Sequence, residues 1–190
     1  MLEIENYERK GEKASVSAEM LSKMEPLIAD LRSNDGAVRR EARHTLVFIG
    51  EPTVDFLIPL LKDPDDDVRW EAAKALAEIA DPRATSDLVG LLMDHNFGVR
   101  WLAAEALISI GRDALEPLLE KLTKHPESSW LRRGAHHVLH DLVRKAPDLK
   151  ELVGPVITAL EGFEPEAGCL GPAYAALEKL KSSDNKLLLV

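Results

Sequence analysis

The sequence predicts an all-α protein, an α-α superhelix of about five helical hairpins and about ten helices. Three observations predict it: a phrase that returns about every thirty residues, helical spacing of the apolar positions inside each copy, and a capping residue in register ahead of each phrase. The phrase is plainest in VRWEAAKALAEI at 68–79 and VRWLAAEALISI at 99–110. Val-Arg stands at Val38-Arg39, Val68-Arg69 and Val99-Arg100, and Leu131-Arg132 continues the series in steps of 30, 31 and 32 residues. A period of this length marks stacked units that cannot bury an apolar face alone but share one core when stacked.

Aligned on that register, one column reads Ala42, Ala72, Ala103, Ala135, Ala173, the next Leu46, Leu76, Leu107, Leu139, Leu177, and a third Ile49, Ile79, Ile110, Leu142, Leu180. Positions i, i+4 and i+7 form one stripe of an amphipathic helix. Asp35, Asp65, Asn96 and Ser128 stand three residues before each Val or Leu. Their side-chain oxygens suit the free N–H groups of a first helical turn. This is the second helix of each unit. The first helix carries Leu27, Leu57, Leu88, Leu118 and Val156, with Leu31, Leu61, Leu92, Leu122 and Leu160 four residues later. Pro26, Pro117 and Pro155 precede that stripe, which suits a first turn where the missing N–H needs no partner. No Asn-Gly or Asp-Gly turn joins alternating runs, so nothing signals strands.

The chain divides into a polar segment at 1–16, one repeat domain at 17–182, and a tail at 183–190 that ends in the apolar run Leu187–Val190. The units fall at about 17–50, 51–81, 82–112, 113–146 and 147–182. In the fifth, Cys169-Leu170 replaces Val-Arg and Gly171-Pro172 interrupts the helix start, as expected of a terminal cap.

Composition narrows the function. Of 190 residues, 45% are apolar and 30% charged, which excludes a disordered chain. A net charge of −9 argues against duplex nucleic acid, whose phosphates reward clustered Lys and Arg. The single Cys169 cannot form an internal disulfide, which fits a reducing compartment. The N-terminal stretch is charged throughout and no apolar run is long enough to span a bilayer. The expectation is a soluble, cytoplasmic protein with no membrane contact.

The phrases LLKDPDDDVRWEAAKALAEI and LLMDHNFGVRWLAAEALISI resemble HEAT repeats, in particular the short type found in phycobilin lyase subunits. The resemblance covers about residues 17–182. It implies that the second helices line a concave face and that a turn aspartate and the Val-Arg arginine bridge neighbouring repeats. Asp63 with Arg69 and Asp94 with Arg100 match that ladder, whereas the fourth unit has Pro126 at the aspartate position.

No catalytic constellation emerges. DPDDD at 63–67, read as a calcium loop, has Val68 where a glycine is needed and Lys74 where a glutamate is needed. It is a cap in an acidic turn. There is no phosphate loop, dinucleotide fingerprint, nucleophile elbow or zinc-protease motif. His136 and His140 share a helix face, but no third ligand is nominated. No cofactor and no metal site are expected. The bilin lyases share the repeat, yet a repeat alone does not transmit their activity. A related group that excises DNA bases uses Trp, Arg and Asp, and SSWLRRGAHH at 128–137 has a faint likeness to it.

The remaining signal is a row opposite the core. With the Ala72 column at zero and about 100° per residue, the column Arg40, Trp70, Trp101, Arg133 falls at about 160°. His44, Lys74, Glu105 and His137 fall at about 200°, and Trp130 at about 220°. One reading has each indole packed over the neighbouring repeat. The other makes the row a ligand surface, because Trp and Arg are enriched in binding hot spots. The sequence thus points to a non-enzymatic scaffold that binds another protein or peptide on the concave face through Arg40, His44, Trp70, Lys74, Trp101, Glu105, Trp130, Arg133 and His137. The alternative is a lyase-like or base-excising enzyme with a Trp/Arg pocket.

Overall fold

Four polar side chains start the second helices, as the register requires. Asp35 accepts from the Ala37 N–H at 2.8 Å and Asp65 from Asp67 at 2.8 Å. Asn96 accepts from Val99 and Ser128 from Leu131, each at 3.3 Å. The computed structural model describes residues 18–187, with side chains described for 20–182. In chain order the helices are α1 (Ala18–Asp30), α2 (Gly36–Ile49), α3 (Val54–Leu57), α4 (Asp66–Ile79), α5 (Thr85–Leu91), α6 (Phe97–Ile110), α7 (Leu115–Lys124), α8 (Ser129–Lys145), α9 (Lys150–Leu160), α10 (Pro165–Gly168) and α11 (Leu170–Leu187). Among the described residues there is no strand. The segment 1–16 and the run 188–190 lie outside the described residues. Within the expected tail, the α11 backbone runs on to Leu187.

The first helices are shorter and tighter than the second. In the second unit, α3 gives way to a 3₁₀ segment at Ile58–Lys62, where Pro59 supplies no N–H for an α-helical bond. Two of the three prolines depart from the first-turn expectation. Pro26 and Pro155 lie inside α1 and α9, because both helices begin upstream of the apolar stripe. Both rings are exposed on the helix surface.

The second helices α2, α4, α6 and α8 stack on one another in order, and the first helices form the other layer. The Ala42, Ala72, Ala103 and Ala135 column is buried throughout, as is the Leu46, Leu76, Leu107 and Leu139 column. The third column is less enclosed, and Ile49 is exposed. Among the described residues the first unit packs on a neighbour on one side only, and of its stripe Ile49 alone is left open while Ala42 and Leu46 stay buried. Helix α6, covered from both sides, buries Val99, Leu102, Ala104, Ala106 and Ile108 besides the expected stripe. A buried ion pair adds to the α2–α4 junction, with Arg43 Nε 2.8 Å from Glu71 and both side chains less than a tenth exposed.

The fifth hairpin is turned over. Helix α9 packs on α8, while α11 packs on α7 and α9. Lys181 of α11 pairs with Glu120 at 3.0 Å and Glu116 at 3.5 Å, both on α7. The turn that leads into this hairpin also differs. Gly50, Ala80 and Gly111 end α2, α4 and α6 at positive φ, whereas Ala146 ends α8 at φ −133°. Pro147 follows Ala146 and holds it in the extended region.

Candidate functional site: the cleft between α6 and α8

Each Val-Arg arginine turns back on its own hairpin. Its Nη1 donates to the carbonyl six residues earlier: Arg39 to Ser33 at 2.8 Å, Arg69 to Asp63 at 2.7 Å, Arg100 to Asp94 at 2.6 Å, and Arg132 to Pro126. A carbonyl is present whatever the side chain, so Pro126 serves as well as an aspartate. The carboxylate bridge differs from the expected pairing of Asp63 with Arg69 and Asp94 with Arg100, because it runs one unit forward. Arg69 grips Asp94 through Nε at 2.8 Å and Nη2 at 3.1 Å, and Arg32 reaches Asp63 at 2.7 Å. The Asp94 hydrogen bonds, with those of Asp66, hold the Arg69 guanidinium above its ordinary value. Asp66 is in turn held low by hydrogen bonds from Asn96 and Arg69.

Arg100 is the exception to this forward reach. It meets the Trp130 ring instead of a carboxylate, with the guanidinium carbon 4.5 Å from the ring centroid and 5.7 Å from that of Phe97. Such stacking on an aromatic face compensates part of a cation's charge but supplies no counter-ion. Trp101, on the same helix face as Phe97, stacks on His137 of α8 with centroids 4.9 Å apart and planes 22° apart. His137 Nε2 lies 3.1 Å from Glu105, which orients the imidazole against the indole. These groups bound a cleft of about 210 Å³ between α6 and α8, floored by Leu92, Ala104 and Gly134, with Arg133 on its rim. Gly134 permits the close approach, because a Cβ there would stand 2.9 Å from Leu92 Cδ2.

The structure divides the row of candidate residues. Trp101, Trp130, Arg133 and His137 line this cleft, and Glu105 supports it through His137. Trp70 is half-buried with its indole edge on the next repeat, 3.5 Å or less from a Cβ placed at Gly98. In that placement the Trp70 indole packs over the neighbouring repeat. Lys74 lies 3.8 Å from Glu78 on its own helix. Arg40 and His44 are exposed on α2, away from the cleft. Helix periodicity did not nominate Phe97 or Arg100. Phe97 precedes Trp101 by one turn and is 70% exposed, a signal that the spacing contained. Arg100 was absorbed by the ladder, and only the absence of an aspartate in the next turn hinted otherwise.

A second, shallower cleft of about 390 Å³ lies between α8 and the fifth hairpin, lined by Arg132, Arg133, His136 and Glu161 among others. Two of its polar groups are engaged: His136 Nε2 is 2.8 Å from Glu161, and Arg132 is 3.2 Å from Glu166. His136 and His140 stack at 6.1 Å, and no group of three metal-ligating side chains occurs among the described residues. Cys169 is fully buried, and burial pushes its thiol pKa up.

Comparison with known proteins agrees with the architecture. The structure is similar to the complex of CpcE and CpcF of phycocyanin lyase from Nostoc sp. PCC7120, with 26% identity over 82% of this chain and 98% of that chain and a TM-score of 0.57. An engineered protein of known crystal structure is 25% identical over 86% of this chain and 82% of that chain, with a TM-score of 0.44. The family model for HEAT repeats matches residues 24–108 and 54–140, together more than half of the chain. The in-register caps, buried columns and stacked hairpins are those of such repeats, and the protein belongs to the HEAT-repeat family.

Proposed function

We propose that the chain is a non-enzymatic binding module that holds another protein against its second-helix face, with the α6–α8 cleft as the anchor. One observation carries this reading. Phe97, Trp101 and Trp130, which are 70%, 50% and 43% exposed, gather with Arg100 and Arg133 around one cleft. Half-exposed aromatic rings with arginines are the residue types in which interface energy concentrates. Arginine does not give up its proton in the working range, so these two cations bind and orient and do not serve as acid or base. The neighbour named above is itself a complex of two chains, which supports a protein partner. Its name also supports a lyase-like reading; the α6–α8 cleft, at about 210 Å³, lies below the ~300–1,000 Å³ that small-molecule pockets typically span, whereas the neighbouring cleft of about 390 Å³ lies within it. Among the described residues no helix is long and apolar enough to cross a membrane, and a lone buried thiol fits a reducing cytoplasm.

The test is capture of partners from the native source with the wild type and with Trp101→Ala/Trp130→Ala. Both rings are half-exposed, so the double variant should keep its circular dichroism and melt. Loss of two hot-spot side chains should weaken capture at least ~30-fold. A folded double variant that retains every partner at wild-type yield would refute the reading.

A further inference from the structure

Of the described arginines, eight have a carboxylate within 4.0 Å and three, Arg40, Arg100 and Arg133, do not. The chain carries 33 acidic residues against 24 Lys and Arg, so a shortage of acids does not explain the exceptions. Two of the three border the same cleft. Arg100 spends Nη1 on the Asp94 and His95 carbonyls at 2.6 and 3.0 Å, and its Nε and Nη2 meet no described acceptor. Arg133 is exposed and has no described hydrogen-bond partner. The acid that α6 carries, Glu105, is already matched to His137. The rim therefore presents two guanidinium groups without a carboxylate partner on a protein of net charge −9.

The floor has the opposite character. Leu92, Ala104 and Gly134 bring no side-chain polar atom to it, and a cleft of about 210 Å³ suits one leucine- or phenylalanine-sized group. A nucleobase edge pressed on that floor would find no side-chain hydrogen-bond partner, and burying its polar atoms unpaired is costly. An apolar side chain loses nothing by entering, and its neighbours along an extended segment reach the rim.

We propose that the α6–α8 cleft takes one apolar side chain of an acidic peptide segment, with flanking carboxylates against Arg133 and Arg100. This rests on the protein-binding reading above and adds the chemistry of the partner. Trp101 and Trp130 wall the apolar group, and the arginine forks take carboxylates as charge-assisted pairs.

The test is tryptophan-fluorescence titration of the full chain with synthetic nonapeptides. The probe has a central Leu flanked by Glu; the comparisons replace the flanks with Lys or Ser, or the centre with Ala, and a twelve-nucleotide oligodeoxythymidine is added as a control. The Glu-flanked Leu peptide should bind at least ~tenfold tighter than the Lys-flanked and Ala-centred peptides, and more weakly as salt rises. Arg133→Glu, an exposed substitution with an unchanged melt, should lower that affinity ~tenfold or more; Trp130→Ala should do the same by removing a wall. Equal binding of Glu and Lys flanks, indifference to Arg133→Glu, binding of the oligonucleotide in place of the peptides, or no peptide binding would each overturn the proposal. If native capture is lost in Trp101→Ala/Trp130→Ala while the peptides show no acid preference, the binding module stands and the acidic ligand falls.

Discussion

Replacing Ala80 with glycine should stabilise this protein, and the backbone says by how much. Ala80 ends α4 at φ 56°, ψ 38°, in the left-handed helical region, with its N–H bonded to the Leu76 carbonyl at 2.8 Å. An L-residue there costs roughly 1–2 kcal/mol. Glycine removes that strain but gives the unfolded chain more freedom, which returns ~0.4–1 kcal/mol. The balance is a gain of about 0.5–1 kcal/mol, a rise in Tm on the order of 1–4 °C for a chain of this length. Gly111 provides the contrast. It ends α6 at φ 85°, ψ −132°, close to a region open almost solely to glycine. A Cβ there would meet nothing within 4 Å, so Gly111→Ala isolates the backbone cost, roughly 1–3 kcal/mol of lost stability. Scanning calorimetry of both variants beside the wild type measures the pair. A fall in Tm for Ala80→Gly, or no change for Gly111→Ala, would refute the strain assignment.

Two further outcomes follow from the charge network. Arg69→Met should cost about 3 kcal/mol in urea unfolding, since it strands the nearly buried Asp94 carboxylate and frees two turn carbonyls; adding Asp94→Asn should recover part of that loss, and a double variant no better than the single would contradict the pairing. Hydrogen bonds from Arg83, Lys181 and Arg144 hold Asp81, Glu120 and Asp141 below their ordinary values. A carboxylate whose pKa is lower in the folded state adds stability that is complete above its unfolded pKa and disappears as pH falls through the folded one. Stability should therefore be flat near neutrality and drop below about pH 4. Lys181→Met should make that drop shallower, and an unchanged acid slope in this variant would show that the α7–α11 bridge contributes nothing.

The in-line arrangement of the first four units was legible because each of its determinants is local. Asp35, Asp65, Asn96 and Ser128 cap within three residues, and the Ala and Leu columns are one helix face read at fixed spacing. The exposed face was legible for the same reason, and it led to Trp101, Trp130, Arg133 and His137. What the wheel could not show is which exposed residues meet. Trp70 and Trp101 occupy equivalent positions, yet Trp70 lies against Gly98 while Trp101 finds His137, because the residue that the next repeat presents differs.

Repeat length, helix stripes, capping residues and the aromatic-basic row are determined by the sequence alone, since each depends on residues within one helix or one turn. Three features were decided only by tertiary structure: the overturned fifth hairpin, the forward step of the Arg69–Asp94 bridge, and the cleft that gathers Phe97, Arg100, Trp130 and Arg133. Each depends on contacts between residues some 25 or more positions apart. Their positions are set by how one hairpin lies on the next, and a one-dimensional period carries the repeat of that packing but not its angle or its exceptions.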